Sequence, residues 1–570
     1  MVKVTDLYFR YKRAARPVFE GFNLEVAAGE RVAVLGPSEA GKSTLALCLQ
    51  GLIPRMIKGE MRGKVEVDGV LTHDCRPRQL AGRVGILFQD FEAQLFCTRV
   101  DQEVAFGPEN MEIDRNQMQR RVKEALSLVG LNGLEDRDPA TLSGGQKQLL
   151  ALAAVFALKP RLLVLDEPTS DLDPMRVEEL LSALERLSQR QDLTLMLLGE
   201  DLRLARHCSR IVLLARGKVL ADGPQAQVLR QVEIFRRLGL PPPELPALFY
   251  DLGQSHLPLT LVEAEAQALA LVGEATGRVL TAPEKIVSLG TPAKNSALVT
   301  APEVLALRRV TFAYPGTAPI FKNFSLSFGQ GELTAILGPN GSGKTTLLKL
   351  LRGLLKPQAG EVWAASLNGQ PLRIGFVFQN PDYQLFAEQV WEEVAFGPRN
   401  LDLDPEEVNQ RVEAALRRVH LWEHAADDPF SLTKGQRQRL AVAAVLALAP
   451  QVIILDEPTT GLDRREQQDL LDLAKELNDQ GHTIIMVTHT MWAAATYARR
   501  LIILRDGRLI LDGPTREVLA QEETLAQCRL TPPAVVQLSR RLGFTALTPE
   551  EFRQHIERHG KEIVGAGPGT

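Results

Sequence analysis

Short runs of Val, Ile, Leu and Phe alternate with longer stretches of mixed polarity, and the same alternation occurs twice along the chain. In the first half, residues 30–35 lead through a glycine-bearing turn into an apolar helical stretch from about residue 43. In the second half, residues 333–337 lead into a helix from about residue 345. Helical stretches follow at 117–129 and 407–419. Uniformly apolar strands come next at 162–165 and 452–455, then another helix and a further strand at 193–198 and 483–487. Alternating strand and helix predicts an α/β fold with a largely parallel sheet. The longest apolar stretches, 149–158 and 440–449, are shorter than the roughly 18 residues of a membrane-spanning helix. They predict buried helices.

The doubling is also visible residue by residue. Leu165-Asp166-Glu167-Pro168 recurs as Leu455-Asp456-Glu457-Pro458, 290 residues on (456 − 166), and Gln89 recurs as Gln379 at the same spacing. Leu240-Pro241-Pro242 matches Leu530-Thr531-Pro532-Pro533, and Leu252-Gly253 matches Leu542-Gly543. Each copy therefore carries a small C-terminal appendage. The predicted domains are 1–253, a linker 254–303, a second copy 304–560 and a disordered tail 561–570. The linker holds eight charges, Glu263, Glu265, Glu274, Arg278, Glu284, Lys285, Lys294 and Glu303, with one helix expected near 261–271.

Composition changes this picture little. A 570-residue chain, 45% hydrophobic and 24% charged, reads as several globular domains. Lys+Arg 66 against Asp+Glu 70 leaves a net charge of −4, which offers no general attraction to nucleic acid or anionic membrane. The five scattered cysteines form no CxxC pair and suit a reducing compartment. Residues 1–10 lack the apolar core of a secretory leader, so none is expected.

The candidate chemistry is phosphate chemistry. Gly338-Pro339-Asn340-Gly341-Ser342-Gly343-Lys344-Thr345, followed by Thr346, is a complete Walker A loop. Its glycines let successive N–H groups curl around the β- and γ-phosphates of ATP, Lys344 adds a positive charge, and the Thr345 hydroxyl is placed to ligate Mg²⁺. The first copy, Gly36-Pro37-Ser38-Glu39-Ala40-Gly41-Lys42-Ser43 with Thr44, keeps the lysine and hydroxyl but carries Glu39 where the second has Gly341. Asp166 and Asp456 end apolar strands and are expected to hold Mg²⁺. Glu167 and Glu457 follow them as candidate general bases.

Leu142-Ser143-Gly144-Gly145-Gln146, about twenty residues before Leu165-Asp166-Glu167-Pro168, resembles the signature of ATP-binding cassette (ABC) ATPases. The resemblance covers about 460 of 570 residues. It implies tandem P-loop ABC domains, each with a RecA-like α/β core, an antiparallel β subdomain and a helical signature subdomain. It makes Gln89 and Gln379 the Q-loop glutamines and adds them to the Mg²⁺ ligands. Ser170-Asp171-Leu172-Asp173 and Thr460-Gly461-Leu462-Asp463 resemble D-loops, and His489 the switch histidine. Tyr11 and Tyr314 stand where the family stacks a ring on adenine, with Tyr8 competing for the first position. The segments Gln379-Asn380-Pro381-Asp382-Tyr383-Gln384-Leu385-Phe386 and Glu393-Val394-Ala395-Phe396-Gly397-Pro398, with their first-copy counterparts from Gln89 and Glu103, look like energy-coupling factor (ECF) importers of vitamins and metals. That likeness implies a membrane coupling subunit whose arginine-bearing helices dock beside the Q-loop, a substrate-binding membrane subunit, and a place on the cytoplasmic face of the cell membrane. Asp101, Glu103, Glu392 and Glu393 are the candidate acceptors for those arginines.

ABC modules stack head to tail, so the resemblance pairs each Walker A loop with the other copy's signature. One site then combines Lys344, Thr345, Asp456, Glu457, Gln379 and His489 with Ser143, Gly144, Gly145 and Gln146, all intact, and is expected to hydrolyse ATP. The other combines Lys42, Ser43, Asp166, Glu167 and Gln89 with Thr433, Lys434 and Gly435, where Lys434 replaces a glycine. Aligning Thr194-Leu195-Met196-Leu197-Leu198-Gly199-Glu200 with Thr483-Ile484-Ile485-Met486-Val487-Thr488-His489 puts Glu200 at the switch position. A carboxylate about 4 Å from a phosphate charge costs on the order of 4 kcal/mol at an effective dielectric of 20, so Glu200 is expected to turn away, to be protonated or to be paired. Lys434 either compensates for the two glutamates or marks drift at a site that only binds ATP. Two other assignments stay open at this point: a tandem ABC ATPase acting on ribosomes or DNA, which the modest linker charge disfavours, and a fused sugar-importer ATPase, which the Q-loop segment disfavours.

Overall fold

The computed structural model describes residues 1–169, 174–188, 193–276, 301–367 and 369–562. The first D-loop, residues 170–173, lies outside the described residues, as do the linker charges Arg278, Glu284, Lys285 and Lys294 and the tail from 563. The described chain divides into two units, Met1–Tyr250 and Asp251–Thr570.

In the first unit the core sheet runs in the order Lys218–Pro224, Arg210–Ala215, Arg31–Leu35, Thr194–Gly199, Leu162–Asp166, Val84–Leu87. All neighbours are parallel except the hairpin pair at the first edge. Leu162–Asp166 and Thr194–Gly199 are buried at every position, which is why they read as continuous apolar runs. A second, antiparallel sheet orders Phe19–Val26, Val2–Tyr11, Gly59–Val67 and Val70–Leu71. There the alternating pattern of Val2–Tyr11 turns Val2, Val4, Leu7 and Phe9 into the core. A helical part comprises Val100–Asn110, Arg115–Val129 and Gly144–Ala157.

The second unit repeats this plan. Its core sheet orders Ile374–Val377, Val452–Asp456, Thr483–Val487, Leu333–Leu337, Arg500–Arg505 and Arg508–Pro514. Its antiparallel sheet has three strands, Phe321–Gly329, Glu303–Phe312 and Ala359–Ala364, and a small two-stranded hairpin stands apart from it. The helical part is Val390–Arg399, Pro405–Arg418 and Lys434–Leu446.

The core and antiparallel sheets are tied by one arginine in each unit. Arg500 donates to both oxygens of Asp512 at 2.7 Å, to Glu332 at 3.2 Å and to the Ser327 carbonyl at 2.9 Å. Arg210 does the same with Asp222, Glu30 and the Glu25 carbonyl. The helix in the linker runs Leu261–Thr276 and packs against Ala534–Arg541 and Pro549–Glu562, with Glu265 3.1 Å from Arg541. Linker charge is thus partly spent on the second unit's appendage.

Candidate functional site

Strand order assembles each site. Leu35 pairs with Gly199 and Asp166 with Leu198, so the P-loop, the Asp-Glu pair and Glu200 emerge together at the carboxyl edge of the first core sheet. In the second, Ile336 and Asp456 both pair with Val487, two residues before His489. Ligands of open α/β sheets bind at this edge.

In both loops the lysine is buried and folds back on its own turn. Lys42 Nζ donates to the carbonyls of Gly36 (2.6 Å) and Pro37 (2.9 Å), and Lys344 Nζ to those of Gly338 (2.9 Å) and Pro339 (3.1 Å). Tyr11 and Tyr314 place their hydroxyls 3.0 and 3.4 Å from Thr44 and Thr346 at the start of the P-loop helices. Tyr8 instead lies under the Arg62 guanidinium. Glu39 sits at φ 63, the left-handed conformation that Gly341 takes at φ 77. A Cβ at Gly341 would meet open space, so the cost to Glu39 is backbone strain rather than collision.

The two glutamates meet different surroundings. Both stand at positive φ, 48 for Glu167 and 46 for Glu457, a strain that aims the carboxylate and that no sequence pattern announces. Glu457 receives Gln379 Nε2 at 2.9 Å, His489 Nε2 at 2.6 Å and the Thr460 hydroxyl at 3.5 Å. Burial pushes its carboxyl up, but the His489 hydrogen bond and the charges of His489 and Lys344 outweigh burial and hold it below the usual range. Glu167 lies 3.1 Å from Lys42. Burial raises it, Lys42 only partly opposes, and Glu200 and Asp166 add to the rise. Glu200 is paired: its Oε1 accepts from the Ser38 hydroxyl at 3.0 Å and stands 3.7 Å from Lys42 Nζ. Pairing is among the outcomes expected for this carboxylate, and these contacts show it.

The residues present fit Mg²⁺. Thr345 donates to Asp456 at 3.4 Å, and burial, with the Glu457 charge, pushes the Asp456 carboxyl up to about 6. Burial also raises Asp166, against the pull of Ser43 and Lys42, and its Oδ1 is buried without a hydrogen-bond partner. A carboxylate raised by burial, or left with an orphaned oxygen, beside a hydroxyl is what a hard cation with oxygen ligands relieves. Among the described residues no cluster of three or more His, Cys, Asp or Glu side chains is placed to hold a metal unaided, so phosphate oxygens would complete the shell. Gln379 spends its amide on Glu457, and Gln89 is exposed.

The signature residues open helices. Ser143 caps Gly144–Ala157 and Thr433 caps Lys434–Leu446, each in a reciprocal capping box with Gln146 or Gln436. Gly144 is exposed and a Cβ there would meet nothing, while Gly435 is buried against Glu466.

Two of the four acidic residues expected to receive coupling arginines are not available. Glu103 and Glu393 are 3% and 4% exposed, and each accepts two backbone N–H bonds, from Phe96 and Cys97 and from Phe386 and Ala387. A buried carboxylate satisfied in this way holds a loop. Asp101 and Glu392 are paired with Arg99 and Arg399 in their own helical parts. The exposed features there are aromatic instead: Phe96 packs edge-to-face on Phe106, Phe386 on Phe396, and Tyr383 is 84% exposed. The sequence carried this signal in the two Leu-Phe pairs, Leu95-Phe96 and Leu385-Phe386, but not the exposure.

Two phosphate loops at the carboxyl edges of two parallel sheets, each followed by an Asp-Glu strand end and a capped signature helix, define a tandem P-loop ATPase. The ABC transporter family matches residues 19–170 and 321–460. A putative ABC transporter ATP-binding protein of Caldanaerobacter subterraneus subsp. tengcongensis is 42% identical over 96% of this chain and 97% of its own. The putative HMP/thiamine import ATP-binding protein YkoD of Bacillus subtilis (strain 168) is 33% identical over 94% of this chain and 96% of its own. Among solved structures, cbiO1 from Clostridium perfringens, described as part of the ABC transporter complex cbiONQ, is 33% identical over 42% of this chain and 99% of its own, with a TM-score of 0.37. The chain belongs to the ABC transporter ATP-binding proteins, with two ABC domains in one polypeptide.

Proposed function

We propose that this chain is the ATP-hydrolysing subunit of an ECF-type importer of a vitamin or a transition-metal ion, with the second Walker A site hydrolytic and the first degenerate. The observation that carries the asymmetry is the contrast between the two glutamates. Glu457 is tethered by Gln379 and His489, and the His489 hydrogen bond and nearby positive charge hold its carboxyl below the usual range against burial, as suits a general base. Glu167 shares Lys42 with Glu200, and its carboxyl is raised. In this reading Glu457 polarises the attacking water, His489 orients Glu457, and Lys344 and the loop N–H groups carry the phosphate charge. Thr345 and Asp456 in the second site, and Ser43 and Asp166 in the first, would hold Mg²⁺, which would supply neutralisation of phosphate charge. The Q-loop segments and the import function named for the Bacillus subtilis relative support ECF-type uptake. A membrane coupling subunit and a substrate-binding subunit complete the proposed machine, and the chain sits peripherally on the cytoplasmic face.

Steady-state ATPase assays of two variants test the asymmetry. Glu457→Gln is expected to lower kcat by about 10²-fold or more, the scale of general base catalysis. Glu167→Gln is expected to retain more than about half of the activity, because its base contributes little turnover. Equal losses from the two substitutions would sink the asymmetric reading.

A further inference from the structure

Lys434 stands in the signature at a position where the first copy has Gly144, and the fold shows where its side chain goes. Lys434 begins the helix Lys434–Leu446. Its stem runs across the turn that follows Glu457, with the ammonium on Gly461. A Cβ built at Gly461 would overlap Lys434 Nζ and lie 2.9 Å from Cε and 3.4 Å from Cδ. Gly461 also takes φ 71, which favours glycine on conformational grounds, and the absence of a Cβ leaves room for the tip of the exposed Lys434 side chain.

The covered turn is short and bound to the base. Thr460 N–H donates to the Glu457 carbonyl at 3.2 Å, Leu462 N–H to Thr459 at 3.3 Å, and the Thr460 hydroxyl to Glu457 Oε2 at 3.5 Å. From the other side Gln467 Nε2 donates to the carbonyls of Thr459 (3.3 Å) and Leu462 (3.0 Å). Asp463 caps the helix Arg464–Asp479 with Glu466, whose carboxylate lies against Gly435. The segment from Glu457 to Asp463 is therefore tied by Gln467, and the exposed Lys434 side chain lies over its Gly461. Among the described residues Lys434 forms no ion pair, so its contact with this turn is the interaction it makes.

The first copy carries the reverse combination, Gly144 in the signature and Asp171 at the D-loop position of Gly461. In each copy one of the two positions is glycine and the other bears a side chain. A lysine at 434 is tolerated where 461 has no Cβ.

We propose that Lys434 is a positioning residue for the hydrolytic centre of its own module, holding the Thr460 turn and with it the Glu457 carboxylate. This rests on the assignment of Glu457 as the base. The assignment made from the signature alone put Lys434 at the nucleotide of the first Walker A loop. The contact with Gly461 gives it a second task, in the site of the second loop, because small displacements of a base away from its water lower kcat more than binding.

The test uses the full-length chain. ATPase kcat and KM are measured for Lys434→Ala, Lys434→Arg, Gly461→Ala and the double Lys434→Ala/Gly461→Ala variant. Nucleotide affinity at the first site is measured with a fluorescent ATP analogue in a Lys344→Ala background, with and without Lys434→Ala. Alanine at 434 keeps the helix start, and thermal unfolding monitors the fold. Lys434→Ala is expected to lower kcat about three- to tenfold with KM within about twofold, and Lys434→Arg to recover most of it. Gly461→Ala evicts the ammonium, so its loss and that of Lys434→Ala are expected not to multiply in the double variant. First-site affinity is expected to stay within about twofold. An unchanged kcat in Lys434→Ala, multiplicative losses, or a fall in first-site affinity alone would each overturn the proposal. Failure of the base assignment reads out separately, as turnover retained by Glu457→Gln.

Discussion

Glu39 occupies a backbone conformation that its counterpart Gly341 takes freely, at φ 63 against 77. A left-handed residue with a Cβ costs about 1–2 kcal/mol, and replacing it with glycine returns about 0.4–1 kcal/mol of that through the looser unfolded chain. Glu39→Gly is therefore expected to raise the stability of the first unit by up to about 1.5 kcal/mol, read as a later unfolding transition by calorimetry. A transition that stays put or moves earlier would mean that the Glu39 side chain is engaged in a compensating contact. Sequence alone shows that Glu39 is anomalous, because a P-loop is eight consecutive residues and its chemistry is local. The family resemblance groups Gln379 and His489 with Glu457, but does not show the bonds by which both tie its carboxylate. His489 stands 32 residues further on (489 − 457) and reaches the base only because Thr483–Val487 lies beside Val452–Asp456 in the sheet. Nor does any residue pattern reveal that Glu167 and Glu457 are strained, since positive φ at a non-glycine is imposed by the surrounding fold.

Between elements, the least legible feature is the arginine that joins the sheets. Arg210 and Arg500 recur at the spacing of the repeat (500 − 210 = 290), yet a cation opening an apolar strand reads as a solvated strand end. Its role depends on a hairpin that returns Asp512 beside it and on the strand Phe321–Gly329 presenting the Ser327 carbonyl. The Arg500 side chain is 6% exposed, while its acidic partners are more open, Glu332 at 15% and Asp512 at 23%. Arg500→Met would keep the stem's packing and strand two carboxylates. Breaking a buried pair in this way costs about 3–5 kcal/mol, and the partial solvation of Asp512 brings the expectation to about 2–4 kcal/mol. Denaturant unfolding of the second unit checks it. A cost below about 1 kcal/mol would show that water reaches the pair. The helices themselves were readable more than their starts: the stretch expected at 407–419 runs Pro405–Arg418 behind an Asp404 cap, and the helix expected after 452–455 runs Arg464–Asp479 behind an Asp463 cap.

At the scale of the whole molecule, the importer proposed above includes membrane subunits; among the described residues of this chain no helix is long and apolar enough to cross a membrane. The resemblance to ECF importers pointed to Asp101, Glu103, Glu392 and Glu393 as the docking groups, and that expectation fails for Glu103 and Glu393, which are buried. These carboxylates are 3% and 4% exposed and each takes two backbone N–H bonds on Oε2, so they lie out of reach of an arginine from outside. What these two residues hold in place is an exposed edge-to-face pair in each unit, Phe96 with Phe106 at 4.5 Å and Phe386 with Phe396 at 4.8 Å between ring centres. Phe96 and Phe386 are 60% and 61% exposed. Aromatic side chains fixed on the surface by buried polar bonds are suited to serve as interface anchors, which are worth about 2 kcal/mol or more each when covered. In the importer proposed above, the cover would be the membrane coupling subunit. Phe386→Ser is accordingly expected to weaken recovery of that subunit with the chain by about 30-fold, the equivalent of about 2 kcal/mol, and Phe96→Ser to do the same in the first unit. The ATPase activity of the chain alone is expected to hold, because neither ring touches Glu457, Lys344 or their ties. Full recovery of the membrane subunit by the Phe96→Ser/Phe386→Ser double variant would move the coupling surface elsewhere on the two units.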